Sequence, residues 1–221
     1  MTLPGIVSRD EWLAARRELL LREKEHTRAA DALNTARRML PMARVEKTYV
    51  FDGPEGEVGL ADLFAGHRQL VLQHFMFDPQ WTDGCSSCTA AVDELSDGLL
   101  AHLRARETNY AIVARAPLAK VEAYRAKRGW SIPIYSSYRS DFNYDFHVTL
   151  DASVRPVEFN YRGADELRAD ICHTYSTFAR GMEQTGGAYA VLDMTALGRQ
   201  EDREEPKGRA GSTRGPVPDF S

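Results

Sequence analysis

Leu70-Val71-Leu72-Gln73-His74-Phe75-Met76-Phe77, then Asp78-Pro79-Gln80-Trp81-Thr82-Asp83-Gly84, then Cys85-Ser86-Ser87-Cys88 is the stretch on which the fold turns. The first eight residues are nearly continuous in apolar side chains, as a strand covered on both faces must be. The next seven carry proline, aspartate and glycine, the residues of a loop. After the second cysteine, Val92, Leu95, Leu99 and Leu103 continue from Cys88 at steps of four, three, four and four, which predicts one helix with a single apolar face. Residues 110–114 form a second buried-strand candidate. Pro117 then stands at a helix start, with Leu118, Val121 and Tyr124 as the stripe of the helix that follows. Strand and helix alternating at this spacing predict parallel βαβ units and an α/β sheet.

Ahead of that body, Ser8-Arg9-Asp10-Glu11 is a capping-box pattern. From there to Met39 the chain is rich in Ala, Leu, Arg and Glu, without Gly or Pro. One long helix or two shorter ones are expected, with a break near Thr27 and a stop at Pro41. Residues 45–51 have strand composition, residues 52–56 read as a turn, and residues 60–64 as a short helical turn. Residues 131–145 are polar and aromatic without clear period, and further strands are expected at 154–161 and 171–178. The division expected is a helical arm over 1–41, a body over 42–198 and a flexible tail over 199–221.

The 221 residues are 43% hydrophobic and 27% charged, enough apolar content for a real core. The formal net charge of −4 argues against a nucleic-acid binder, whose footprint is basic. That charge is uneven. Residues 1–47 carry ten basic and seven acidic side chains, while residues 48–198 carry thirteen and twenty. A basic arm beside an acidic body suggests docking of the arm on the body or a homodimer through the arm; the plainer interpretation is a solvated face. No membrane span is expected, because the longest apolar run is interrupted by Gln73 and His74 and falls far short of bilayer length. The start lacks the pattern of a signal peptide, and three cysteines are too few for a disulfide scaffold, so a cytoplasmic location is expected.

The cysteine pair carries the chemistry. At a helix N-terminus, unsatisfied amides and the helix dipole favour an anion and lower a thiol's pKa. Cys85 is expected in the first turn, turned toward the loop, with Cys88 more buried on the apolar stripe. An accessible attacking thiol and a shielded partner one turn later are what dithiol–disulfide exchange requires. Cys85 is therefore the expected nucleophile and Cys88 the resolving thiol, with Trp81 and residues 131–145 shaping the pocket. The substrate would be a disulfide or a peroxide and the electron donor a thiol, with no cofactor. A zinc alternative joins Cys85 and Cys88 to Cys172 and His173; otherwise Cys172 is a small core side chain. His74 is expected to be a core residue rather than a catalytic base.

Further motifs identify a resemblance. The chain resembles a bacterial thioredoxin-like family, domain-of-unknown-function family 899, from about Ser8 to Arg209. The matching residues include Trp12-Leu13, Arg37-Arg38-Met39-Leu40-Pro41, the cysteine pair, Gly129-Trp130, Ser136-Ser137 and Asp141-Phe142-Asn143. They continue with His173-Thr174-Tyr175-Ser176-Thr177-Phe178-Ala179-Arg180-Gly181 and Glu205-Pro206-Lys207-Gly208-Arg209. The resemblance implies a thioredoxin-like fold with peroxiredoxin-like strand and helix order and an added helical arm. It also implies Arg139, Asp141 and Arg180 as pocket members. Thioredoxin-like proteins place a cis-proline on the strand facing the cysteine helix. Here only eleven residues separate Tyr161 from the His173 string, so Pro156 begins that strand or part of the site wall is missing, with Pro133 the competing candidate. The contrasting function is a binding or assembly protein that keeps the fold without turnover.

Overall fold

A computed structural model describes residues 5–149, 160–167, 170–199 and 205, with backbone alone for 160–167, Asp170 and Ala179. The capping box forms as the sequence requires: Glu11 N donates to Ser8 Oγ at 3.3 Å and Ser8 N to Glu11 Oε2 at 2.9 Å. It opens α1, Arg9–Arg38, which runs unbroken for 30 residues. The break expected near Thr27 does not occur. Thr27 instead turns its hydroxyl to the Glu23 carbonyl at 3.0 Å, which keeps a β-branched residue within the helix. No residue of α1 is buried; it meets the body at its last turn, where Arg37 bonds Gln184 and lies over the Tyr175 ring. No helix among the described residues is long and apolar enough to cross a membrane.

The body is one sheet. Its described strands are β1 (Ala43–Arg44), β2 (Val50–Gly53), β3 (Gly56–Gly59), β4 (Gln69–Phe75), β5 (Thr108–Ala114), β6 (Ile134–Ser136), β7 (Asn160–Leu167) and β8 (Asp170–Phe178), in the order β1-β8-β7-β4-β5-β6-β2-β3. β4, β5 and β6 are mutually parallel, and the other pairings are antiparallel. The parallel centre is the βαβ array expected from the alternation of elements. β2 and β3 close a hairpin through Pro54-Glu55, where the sequence indicated a turn without its second strand. Of the strand expected at 154–161, residues 154–159 lie outside the described residues. β7 instead covers a stretch read as a connection. Its sequence, with Arg162, Gly163, Asp165 and Glu166, lacks strand composition, so its two ladders with β4 and β8 set its conformation.

The predicted single helix after the cysteines is two: α2, Ser86–Asp93, and α3, Asp97–Arg104. Ser96 caps α3 by accepting from Leu99 N at 3.1 Å, a signal that the apolar stripe concealed. The restart rotates the buried face, leaving Leu99 exposed and Leu100 buried. α4, Leu118–Arg128, follows Pro117 and stops where Gly129 takes a left-handed φ of 69°. Short α5, Phe142–Asp145, and α6, Gly187–Leu192, complete the described α-helices, and 3-10 turns occur at Asp62–Phe64, within the helical turn expected over 60–64, and at Ala179–Thr185.

Alternation along β4 divides the core. Phe75 joins Cys88, Val92, Ile112, Val121 and Tyr124 beneath the helices, while Leu70 and Leu72 join Phe51, Phe64, Val113 and Phe142 on the other face. His74 belongs to the core as expected, 3% exposed and stacked on Phe142 with centroids 5.2 Å apart. The Arg199 guanidinium bonds Asp193 and Glu183 and lies over the Tyr189 ring. The close approach of Gly84 to β4 gives a test. A Cβ there would overlap the Phe75 ring. Gly84→Ala is expected to cost about 1–3 kcal/mol by overpacking, seen as a lower urea midpoint at unchanged slope.

Candidate functional site

The site sits where the parallel strands end. β4 delivers Met76 and Phe77 to the loop over residues 78–84, and basic residues from the β5–α4 region hold that loop down. Arg115 pairs with Asp78 at 3.1 Å, Lys120 Nζ donates to the Pro79 carbonyl at 2.9 Å, and Lys127 pairs with Asp83 at 2.7 Å. The Asp83 bond pushes the Lys127 pKa up. Within the loop, Asp78 also accepts from the backbone of Gln80 and Trp81. These pairs are largely solvated and individually weak. Their combined effect is to set where the chain re-enters at Gly84.

Cys85 is the N-cap of α2, one residue ahead of the first turn expected from the sequence. That places the residue at the positive end of the helix dipole, although its side chain makes no capping hydrogen bond. Its backbone N donates to the Met76 carbonyl at 2.9 Å. Cys88 is fully buried while Cys85 is half-buried, as the stripe predicted. The Cys88 Sγ accepts from Met76 N at 3.2 Å and lies 4.0 Å from the His74 carbonyl as a donor. The backbone of Met76 therefore holds both cysteines, one through its oxygen and one through its nitrogen.

A second tether comes from below. The Cys85 carbonyl accepts both Thr89 N and Thr89 Oγ1 at 2.9 Å, and Thr89 Oγ1 lies 2.9 Å from the Tyr124 hydroxyl. Because the single Thr89 hydroxyl proton goes to Cys85, Tyr124 donates to Thr89. Tyr124 is itself held among Phe75, Phe77 and Trp130. Composition and periodicity identified Tyr124 only as a core position. The available signal was a threonine four residues after a cysteine, a spacing at which its hydroxyl reaches back one turn. Gly84 and the three loop-holding cations were also missed, since their partners come from other elements.

The remaining expected site residues lie around the same end of the sheet in other engagements. Trp81 is 37% exposed on the loop. Arg139, just after β6, pairs with Asp52 and Glu57 of the β2–β3 hairpin, which raises its pKa. Asp141 pairs with Lys47 at 3.0 Å. Arg180 pairs with Glu183 at 2.9 Å. Pro156 lies outside the described residues. Pro133 immediately precedes β6, which lies parallel to β5 and does not touch β4; the strands beside β4 are β5 and β7. The zinc arrangement is not assembled. Cys172 is opposite Asp165, which is opposite Gln69 at the start of β4, whereas Cys85 follows its end, a separation of about 20 Å. Cys172 is also half-buried rather than a core side chain. Among the described residues no group of three or more His, Cys, Asp or Glu is placed to hold a metal ion.

Comparisons with known proteins agree with this architecture. Residues 1–213 match the family described as "Bacterial protein of unknown function (DUF899)". The sequence matches no curated protein. Among solved structures, peroxiredoxin Q of Xanthomonas campestris aligns with a TM-score of 0.51 and 16% identity, covering 71% of this chain and 98% of that one. The bacterioferritin comigratory protein of the same organism, studied for alkyl peroxide reduction, aligns with a TM-score of 0.50 and 16% identity over 71% and 99%. Peroxidoxin BcpB from Mycobacterium tuberculosis gives 0.49 and 16% over 66% and 94%. At these identities the likeness is one of fold: thioredoxin-like, with the peroxiredoxin order of elements.

The buried relay below Cys85 can be tested directly. Tyr124→Phe keeps the ring and removes one buried hydrogen bond, so a loss of about 1 kcal/mol is expected. Urea unfolding measures it, and an unchanged midpoint would show that the hydroxyl holds nothing.

Proposed function

The chain belongs to the bacterial family DUF899, and on the thioredoxin-like fold of that chain we propose that it is a thiol-dependent redox enzyme acting through Cys85 and Cys88. One observation carries the proposal: a half-buried cysteine stands at the N-cap position of α2 after a buried strand and its loop, and a fully buried cysteine follows one turn later. The Cys85 thiolate attacks one sulfur of a disulfide, forming a mixed disulfide and expelling a thiolate. Cys88, having lost its proton to solvent, then attacks the Cys85 sulfur. The intramolecular disulfide forms, the second substrate thiolate departs, and two electrons have moved from the dithiol to the substrate. A peroxide would instead convert Cys85 to a sulfenic acid, which Cys88 condenses to the same disulfide with loss of water. A thiol donor returns the pair to the dithiol. In this proposal Trp81 and residues 131–145 border the approach to Cys85, and the enzyme works in the cytoplasm, where its thiols are kept reduced.

The contrasting reading, a binding or assembly protein, draws on α1. Its Trp12, Leu21 and Leu33 are more than half exposed, and the homodimer expected through the arm would cover them. Sedimentation of the full chain is expected to give a dimer; the 24.8 kDa monomer at micromolar concentration would remove that part of the proposal.

Insulin reduction with the parent, Cys85→Ser and Cys88→Ser tests the chemistry. Cys85→Ser is expected to lose turnover, and Cys88→Ser to accumulate mixed disulfide because the second attack is gone. Equal turnover by parent and Cys85→Ser would leave only the binding reading.

A further inference from the structure

Helix α1 spends its length in water. Its 30 residues span about 45 Å, and none of them is buried. A helix in a protein draws most of its stability from packing an apolar face. Trp12, Leu19 and Leu33 each keep about half of their surface exposed. They share one seven-residue period, Trp12-Leu19-His26-Leu33. Three residues after each of these stand Ala15, Arg22, Ala29 and Ala36. Steps of three and four sustained in this way make the seam along which one helix packs on another.

The seam complements itself when the second helix runs the opposite way. Reversal sets the first seam position of each heptad opposite the second seam position of the other helix. One such register overlaps two copies of Arg9–Arg38 to within a residue of their full length, and it is centred on Lys24. In it Trp12 meets Ala36, Leu19 meets Ala29 and Leu33 meets Ala15 of the second copy, and the two-fold axis repeats each contact. A large side chain opposite a small one lets the layers interdigitate and the helices approach closely. The remaining layer sets His26 against Arg22, polar against polar, beside Glu23 and Glu25. A slip of one heptad either way would set Arg22 against Leu19 or Leu33, a charge facing an aliphatic chain. The ends agree as well. The acidic first turn, with Asp10 and Glu11, comes level with the basic last turn, with Arg37 and Arg38, of the other helix, and the two dipoles oppose. A parallel pair would stack Arg22 on Arg22 and His26 on His26.

We infer that α1 pairs antiparallel with α1 of a second copy of this chain, centred on Lys24, with Trp12, Leu19 and Leu33 packed against alanines. The occupant is a second copy because the face carries its own complement in both size and charge. This deepens the homodimer through the arm and rests on it; the thiol chemistry is independent of it.

The test uses the full chain. Leu19→Ala with Leu33→Ala is expected to weaken the dimer about tenfold or more in sedimentation equilibrium, because four leucines leave the interface. Leu21→Ala, exposed but off the seam, is expected to change it less than about twofold. The urea midpoint of the body should stay the same in all of them, since α1 buries nothing against it. Orientation is read with a short bis-maleimide on Ala15→Cys, Leu33→Cys and the double variant. Positions 15 and 33 are about 27 Å apart along one helix, so only an antiparallel partner brings them together. The double variant is expected to give a covalent dimer joining tryptic peptides 10–16 and 29–37, and neither single variant to give one. Cross-linking of the single variants would show a parallel pair and overturn the inference. So would a dimer that neither cross-links at these positions nor responds to the leucine changes, which another surface would then hold. A monomer at micromolar concentration removes the homodimer itself, and this pairing with it.

Discussion

The backbone of Met76 ties the cysteine helix to the sheet. Its carbonyl accepts the Cys85 amide and its amide donates to the Cys88 sulfur, so one peptide segment leaving β4 fixes both ends of the first turn of α2. A strand end buried among apolar side chains leaves its last backbone groups without ladder partners, and such groups must be satisfied. Here the cysteines satisfy them. The same contacts that complete the strand end also hold the two cysteines in place, one half-buried and one fully buried.

Around this tether the fold uses weak forces in number. The loop before Cys85 is held by solvated ion pairs, each of small value alone. Beneath it, Phe75, Phe77, Tyr124 and Trp130 form an edge-to-face cluster that adds to the burial of their area. The hydroxyl relay from Tyr124 through Thr89 to the Cys85 carbonyl links that cluster to the head of α2. A similar division operates at the other edge, where Lys47 bridges Asp141 and Asp145, keeping the Asp145 carboxyl below its usual range, while Tyr49 and Phe142 carry the packing.

Where sequence reading erred, the cause was an interaction between distant residues or a local cap hidden inside an apolar pattern. Cys88, Val92, Leu95, Leu99 and Leu103 fit one helical stripe, yet Ser96 restarts the helix, and Leu100 replaces Leu99 inside. β7 was misplaced because its residues 160–167 have poor strand composition and are ordered by two flanking ladders. Ion pairs between distant residues illustrate the same limit. Arg139 answers to Asp52 and Glu57, more than eighty positions earlier, and nothing near it in sequence announces that pairing.

By itself the sequence determined the capped N-terminal helix, the alternation of buried strands and helices, and the placement of Cys85 and Cys88 at a helix head with the second thiol inside. These follow from local hydrogen-bond requirements and hydrophobic period, which are written in consecutive residues. Only the tertiary structure decided that Cys85 is the cap itself, that Met76 holds both thiols, that Cys172 stands at the far end of the sheet, and that the nearby cations are committed to the loop. Those facts depend on which strand lies beside which and in what register, and burial across a whole sheet selects that arrangement; no single segment encodes it.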